Sequence, residues 1–434
     1  MIGFFATIGT LSLQQDLQRL LNDSSLTGAR VGIYVKRFQG EELITKSPDT
    51  LLIPASTMKL VPATLAFEKL GADYTPLTIA WKTGDVIRIV GGGDPAASTS
   101  GLQLMAKALG AKPTDKVEFD DGLFGREFFA PGWGAKEKSY CPPISALMTN
   151  RARMEIWAQA GKVWAKPHAY GVKIVGAPKT GAGTVTVRWT VPGREAKIGG
   201  AMAKGAKAKL VASFVLPDPG AAAAAVFGNN VTRKPLGKLP FDVIPPSGSG
   251  KVTTYDVGAT KVAVLRGASV NELAARSLTE SDNYLAEVLL KLCGGAAGVS
   301  GSWGDSISLA HEFLVNAGLR PDGFVLSDGS GLSRNNRLSA RVLATLIERD
   351  LLTSYGEQFL KCMAVPGKGT LKNRFKGLKL WAKTGTLNGV VTLAGVAQPS
   401  DTKRYIFAIL INGGSGPASQ QRLVVDKIIG ALYK

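Results

Sequence analysis

The chain has 434 residues, 45% of them hydrophobic and 20% charged, and a formal net charge of +19. That composition excludes a disordered or collagen-like chain, and the length calls for two or three domains with ample core. A basic excess favours polyanions or anionic surfaces, but no helix-turn-helix, zinc-knuckle or aromatic RNA-binding pattern accompanies it, so nucleic acid is not the expected partner.

Residues 1–9 are apolar but lack the Lys or Arg of a secretory n-region, so they read as a degenerate or truncated signal or as the first element of the mature fold. No stretch approaches an uninterrupted apolar run of about 18 residues, and no transmembrane helix is predicted. Residues 12–23 place Leu13, Leu17, Leu20 and Leu21 at helical spacing. Arg30 to Phe38 alternates as a strand, with Leu43 to Leu52 as its antiparallel return. A helix follows Pro54 and stops at Gly71; Pro62 inside it removes one backbone bond and is expected to kink it just after Lys59. From about Tyr74 to Asp256, short β-like runs alternate with Gly/Pro turns, and Ser98–Leu109 is the one long amphipathic helix. Within that stretch Gly161 to Leu210 is a run of lysines and arginines against the single acid Glu195. Residues 221–225 and 245–250 read as loop or linker. Helical spacing returns at 270–278, at 284–292 with Gly294-Gly295 as its stop, and at 307–317 and 340–352. Leu380–Leu387 meets Val390–Ala397 across Asn388-Gly389, the strongest short hairpin signal. Arg404–Asn412 adds a strand and Leu423–Tyr433 a closing helix. The expected architecture is α+β: an antiparallel sheet flanked by helices, built from 10–73 and 257–434. The inserted region 74–256 is expected to hold two β-rich subdomains, the inner one about 161–240 and basic.

Cys141, Cys293 and Cys362 lie far apart without a C-x-x-C pair, which argues against zinc or redox chemistry. They allow one disulfide with a spare thiol, or three buried free thiols. His168 and His311 are the only histidines, and neither lies in a catalytic pattern, so a metal site or a Ser-His-Asp triad is close to excluded. Nothing indicates a cofactor.

Three short motifs carry the chemistry. Ser56 and Lys59, in Pro54-Ala55-Ser56-Thr57-Met58-Lys59, are three apart at a helix start and so share one face. A serine hydroxyl is a weak nucleophile until a base takes its proton, and lysine can do so only when neutral. Partial burial and a second ammonium, supplied by Lys383, would lower the Lys59 pKa. The free Ser56 amide at the helix start can donate to a developing oxyanion. Ser281-Asp282-Asn283 opens another helix. Ser281 would shuttle the proton between Lys59 and a leaving amine, Asn283 would orient Lys59 and bond a substrate amide, and Asp282 would point away and anchor the loop. Lys383-Thr384-Gly385-Thr386 lies on a strand. Gly385 would leave room for a substrate backbone to run alongside, the Thr386 amide would be the second oxyanion donor, and Lys383 with Thr384 and Thr386 would attract a terminal carboxylate. Each motif alone is weak, since a capping serine before a surface lysine is commonplace. Together, in this order and context, they define a serine acyl-transfer enzyme.

With these motifs the chain resembles the low-molecular-mass class C penicillin-binding proteins, the D-alanyl-D-alanine carboxypeptidase/endopeptidases of bacterial cell-wall metabolism. The long gap between Ser56 and Ser281 fits that family's inserted region. Gly91-Gly92-Gly93-Asp94-Pro95, Pro131-Gly132-Trp133, Asp328-Gly329-Ser330-Gly331-Leu332-Ser333-Arg334 and Gly369-Thr370-Leu371 are similar to further family segments. The resemblance implies a penicilloyl serine transferase (β-lactamase/transpeptidase-like) fold, periplasmic or wall-associated action on peptidoglycan stem peptides, and β-lactams as covalent inhibitors. Ser56 would be acylated by the penultimate D-alanine and then released by water; with a cross-link as donor the same chemistry is an endopeptidase. The chain departs from the expected pattern after Trp133, where residues 134–138 are basic except for Glu137. A β-lactamase-like hydrolase or esterase is the alternative, although no Glu-x-x-Leu-Asn deacylation motif is present, and a catalytically inactive wall-binding protein is a third reading. The +19 charge reads either as a solvated surface or as contact with anionic wall polymer or membrane headgroups.

Overall fold

The computed structural model describes residues 19–133, 142–166, 173–191, 195–298 and 300–434. Most of the helix expected over 12–23, the histidine at 168, Cys141 and the basic loop 134–138 lie outside the described residues.

An antiparallel five-stranded sheet runs in the order Leu380–Leu387, Val390–Ser400, Lys403–Asn412, Arg30–Arg37, Glu42–Lys46. Its two faces take alternate residues of the same strands, as a pleat requires. On one side Ile33, Val35, Phe407 and Ile409 pack with Val425 and Ile428 of the closing helix Ala418–Ala431. On the other, Tyr34, Ile406, Ala408 and Leu410 pack with the helices Leu60–Lys69, Asn283–Ala296 and Ala340–Leu351. The Asn388-Gly389 hairpin forms in the expected register, Leu387 opposite Val390, with Gly389 at φ +69°. The fold is α+β, a helix-flanked antiparallel sheet carrying β-rich additions.

A second, six-stranded sheet has the order Asn230–Arg233, Lys116–Asp120, Val86–Val90, Leu77–Thr83, Thr260–Arg266, Val252–Val257. The hairpin 252–266 therefore straddles the boundary expected at 256/257, and its last strand pairs with Leu77–Thr83 instead of joining the five-stranded sheet. Residues 153–215 form two smaller sheets that face each other across Met154, Ile156, Ala196 and Ile198. The basic unit thus begins at Arg153 and its last strand ends at Val215, not about 161 and 240; Asn230–Arg233 pairs with Lys116–Asp120 in the six-stranded sheet.

Several local readings need correction. Residues 221–225 are no linker: Pro219–Ala224 is a buried helical turn capped by the Asp218 side chain, and its small residues let it press onto the six-stranded sheet. Gly294-Gly295 does not stop its helix, which runs to Ala296. A Cβ at Gly294 would lie 2.4 Å from Ser306 Oγ, and one at Gly295 2.8 Å from Leu123 Cδ1, so these glycines serve close packing. Pro62 does not kink an established helix. Residues Ala55–Lys59 form a 3-10 turn and the α-helix begins at Leu60, which puts Pro62 in its first turn, where a missing N–H costs nothing. The second strand ends at Lys46, and Leu52 instead bridges to Leu338. Cys293 and Cys362 are buried free thiols.

Candidate active site

The turn that carries Ser56 is held by its surroundings. Ala55 sits at φ +47°, a left-handed conformation that non-glycine residues adopt only when neighbours enforce it. Thr57 and Thr392 both donate through Oγ1 to the Pro54 carbonyl, at 2.7 and 2.8 Å, tying the turn to the sheet. Gly385 completes the contact. A Cβ there would lie 2.1 Å from Thr392 Oγ1 and 2.9 Å from both Pro54 O and Ser56 N. The glycine expected to make room for substrate therefore first makes room for the turn that carries Ser56, and sets the strand of Lys383–Thr386 directly against the Ser56 amide.

Lys59 is completely buried rather than partly so. Its Nζ donates to Ser56 Oγ at 2.9 Å, Asn283 Oδ1 at 2.7 Å and the Ser330 carbonyl at 2.6 Å. Burial pushes its pKa down to about 8, against the opposing pull of Asp328, Glu287 and Asp282. Lys383 is equally buried, with Nζ 2.9 Å from Ser281 Oγ and 2.7 Å from the Thr384 carbonyl. Burial first, then the neighbouring Lys59 ammonium, holds Lys383 well below the ordinary lysine range. The sequence reading has Lys383 depressing Lys59. The repulsion between the two ammonium groups is mutual, and Asp328, Glu287 and Asp282 offset it at Lys59.

Ser281 has φ +59°, and Asp282 caps the following helix by accepting from Leu285 N at 3.3 Å. Both Asp282 oxygens also accept from Arg151 Nη2 at 2.6 Å, and the guanidinium lies 5.0 Å from the Tyr284 ring centroid. Arg151 itself stands in a run of three left-handed residues, Asn150 to Ala152. Thr384 is half-buried on its strand, whereas Thr386 is exposed and pairs in register with Val391.

Two further groups escaped the sequence reading. Glu287 is fully buried one turn after Asn283 and accepts from the Gly329 and Ser330 amides at 2.9 and 2.8 Å. It thereby holds the loop whose Ser330 carbonyl accepts a hydrogen bond from Lys59. Asp328 folds the same loop by accepting from the Gly331 and Ser333 amides and from Trp133 Nε1. Burial, with the Asp328 charge beside it, pushes the Glu287 carboxyl up to about 8. Four residues on, Lys291 is buried with no hydrogen-bond partner for Nζ among the described residues, 4.1 Å from the Trp303 ring centroid, and burial lowers it to about 8. The legible signal was the i, i+4 spacing, which puts Asn283, Glu287 and Lys291 on one helix face.

Among the described residues no cluster of three or more His, Cys, Asp or Glu is arranged for a metal ion. What the geometry offers is acyl transfer: a hydroxyl touching a buried amine of lowered pKa, a second hydroxyl touching a second buried amine, and a strand edge beside the nucleophile's amide.

That arrangement sits in the penicilloyl serine transferase fold. Penicillin binding protein 4 from Haemophilus influenzae superposes with a TM-score of 0.70 at 19% identity, covering 97% of this chain and 99% of that one. A predatory endopeptidase from Bdellovibrio bacteriovorus gives 0.54 at 15% identity, covering 93% and 92%. Residues 13–429 match the D-Ala-D-Ala carboxypeptidase 3 (S13) family, and the chain belongs to it. A D-alanyl-D-alanine carboxypeptidase from Actinomadura is 28% identical over 463 residues, 94% of this chain and 82% of that protein. The family named from the three motifs is the family found. The chain is a serine-type D-Ala-D-Ala carboxypeptidase by family, and its action on peptidoglycan is extracytoplasmic. No helix among the described residues is long and apolar enough to cross a membrane.

Proposed function

We propose that Ser56 is the nucleophile and Lys59 its base. The 2.9 Å contact between Ser56 Oγ and Lys59 Nζ, inside a fully buried setting, carries the assignment. Neutral Lys59 takes the Ser56 proton as Oγ attacks the carbonyl of the penultimate D-alanine. The amides of Ser56 and Thr386 receive the oxyanion, and the closeness of the Gly385 backbone, where an added Cβ would lie 2.9 Å from Ser56 N, supports their standing side by side. Ser281, touching Lys383, relays the proton held by Lys59 to the departing nitrogen, so the C–N bond breaks, Lys59 is neutral again and D-alanine leaves as a neutral amine. Water then attacks the acyl ester by the same route in reverse and frees Ser56. Asn283 orients Lys59 and meets the substrate amide, while Lys383, Thr384 and Thr386 bind the terminal carboxylate.

A D-alanyl cross-link presents the same acyl donor, so endopeptidase cleavage follows from the same constellation. A second predatory endopeptidase from Bdellovibrio, similar in fold with a TM-score of 0.53, has been seen acylated by penicillin G, and β-lactams are expected to act here as slow substrates that stop at the acyl stage. The periplasm is the proposed compartment.

Release of D-alanine from a soluble stem peptide tests the reading. The wild-type chain should release it, and Ser56→Ala should lose on the order of 10⁴-fold or more of that activity. Undiminished release by Ser56→Ala would remove Ser56 from its role.

A further inference from the structure

We infer that the outward face of the sheet formed by Lys209–Val215, Arg153–Gln159 and Lys162–Lys166 docks a glycan strand of peptidoglycan; this rests on the peptidoglycan reading above. In the observed register Leu210 lies opposite Trp157, and Trp157 opposite Trp164. Three large apolar side chains thus stand abreast on one face. It is the outward face, since the alternate residues Met154 and Ile156 enter the apolar layer between the two small sheets and neither tryptophan does. Leu210 is 44% exposed, and Trp157 and Trp164 are half-exposed.

Contiguous exposed apolar surface marks a binding site more often than chance, and tryptophan is the residue most enriched at binding hot spots. The shape of the row narrows the ligand. Strands about 4.8 Å apart make it roughly 10 Å long and flat, the reach of a pair of linked sugar rings. Indole faces pack well against the C–H faces of pyranose rings, whose hydroxyls stay in water at the edges. The Trp157 ring is also fixed in place: Nε1 donates to Glu155 Oε2 at 2.9 Å, and Lys166 Nζ lies 4.9 Å from the ring centroid.

Charge selects the polymer. Lys162 and Lys166 flank Trp164 on this face, and the one acid beside them, Glu155, is engaged by the Trp157 N–H. A glycan strand bearing carboxylates complements that pattern, within a chain of net charge +19. A lipid surface fits less well, because a flat sheet face with half-buried indoles has no protruding apolar element to insert. The site would hold the polymer while its stems reach Ser56, adding an effective-concentration gain on the insoluble substrate alone.

The test measures binding in a Ser56→Ala background, so that acylation contributes nothing. The probes are purified sacculi, peptide-free glycan strands prepared from them with an amidase, and anionic phospholipid vesicles. Trp157→Ala/Trp164→Ala should weaken binding to sacculi and to bare glycan about tenfold or more. In the Ser56 background the same pair should leave cleavage of a soluble stem peptide within about twofold of wild type. Leu210→Glu, at an exposed position that tolerates a charge, gives a second reading if the double variant misfolds, and should weaken glycan binding in the same direction. Equal binding by variant and parent overturns the proposal, as does binding to sacculi without binding to bare glycan, or binding confined to vesicles. Failure of the wild-type chain to cleave a soluble stem peptide would instead sink the peptidase reading, whatever the sacculi show.

Discussion

Lysine is used in opposite ways in two parts of this molecule. Around the five-stranded sheet, Lys59, Lys383 and Lys291 are fully buried, and burial lowers the pKa of each. In the small sheets of 153–215, Lys162, Lys166, Lys173 and Lys197 stand in solvent. A buried ammonium lacks the water that stabilises its charge, so its proton becomes available for chemistry. An exposed one keeps its charge and contributes only to the field around the protein. Burial therefore separates lysine as a reagent from lysine as a surface charge, and the comparison can be broken from either side.

The largest effect is expected from removing the reagent. Lys59→Met should slow acylation by a β-lactam on the order of 10⁴-fold, read as adduct formation by mass spectrometry. A change of less than tenfold would mean that another group deprotonates Ser56. Gly385→Ala comes next. Its Cβ would push into Thr392 Oγ1 and the Ser56 amide, and a displacement of about 1 Å at the nucleophile should lower kcat/KM about 100-fold. Single-turnover kinetics should show the loss in the acylation step rather than in deacylation alone.

The pH dependence sharpens the same contrast. Because Lys59 works only when neutral and burial brings it to about 8, kcat/KM should rise with pH through about 8 and then level. Stability follows the same sign. The folded pKa lies below the unfolded value near 10.5, so the folded state binds fewer protons there; the Lys59 contribution is present in full above 10.5 and is lost as pH falls through about 8. Glu287 itself ionises only near pH 8, and once ionised it favours the Lys59 cation; Glu287→Gln removes that pull, so the upper part of the rising limb should move to lower pH. A rate profile of the variant that shifted upward, or stayed put, would disconnect Glu287 from Lys59. The smallest effect belongs to the exposed set: Lys197→Gln should leave the turnover of a soluble stem peptide within about twofold.

The parts of the fold that could be read from the sequence are those specified by local chemistry. Asn388-Gly389 marks its hairpin because Gly389 supplies the positive φ that the two-residue turn uses, and the strands on either side pair in the expected register. The three motifs were legible because each carries a recognisable local signal: Pro54 before the turn of Ser56, Asp282 as a cap, Gly385 within a strand. Distance-dependent facts were not legible. Gly294 and Gly295 look like a helix stop, and only the close approach of Ser306 and Leu123 explains them. Residues 221–225 look like a linker because five alanines carry no periodic signal, yet small side chains are what a helix needs to press against a sheet. Glu287 and Lys291 read as an ordinary exposed i, i+4 pair until the loop of Asp328–Ser333 covers the glutamate and Trp303 covers the lysine. The carboxylates that favour the Lys59 cation were also hidden, because Asp282, Glu287 and Asp328 come from distant segments.

The central claim is that Ser56, activated by a buried lysine, forms a covalent acyl-enzyme. The most direct measurement is the intact mass of the protein after brief exposure to benzylpenicillin, followed by peptide mapping. A stable adduct confined to Ser56, absent from Ser56→Ala, is the expected result. An adduct on another residue, or full labelling of Ser56→Ala, would contradict it.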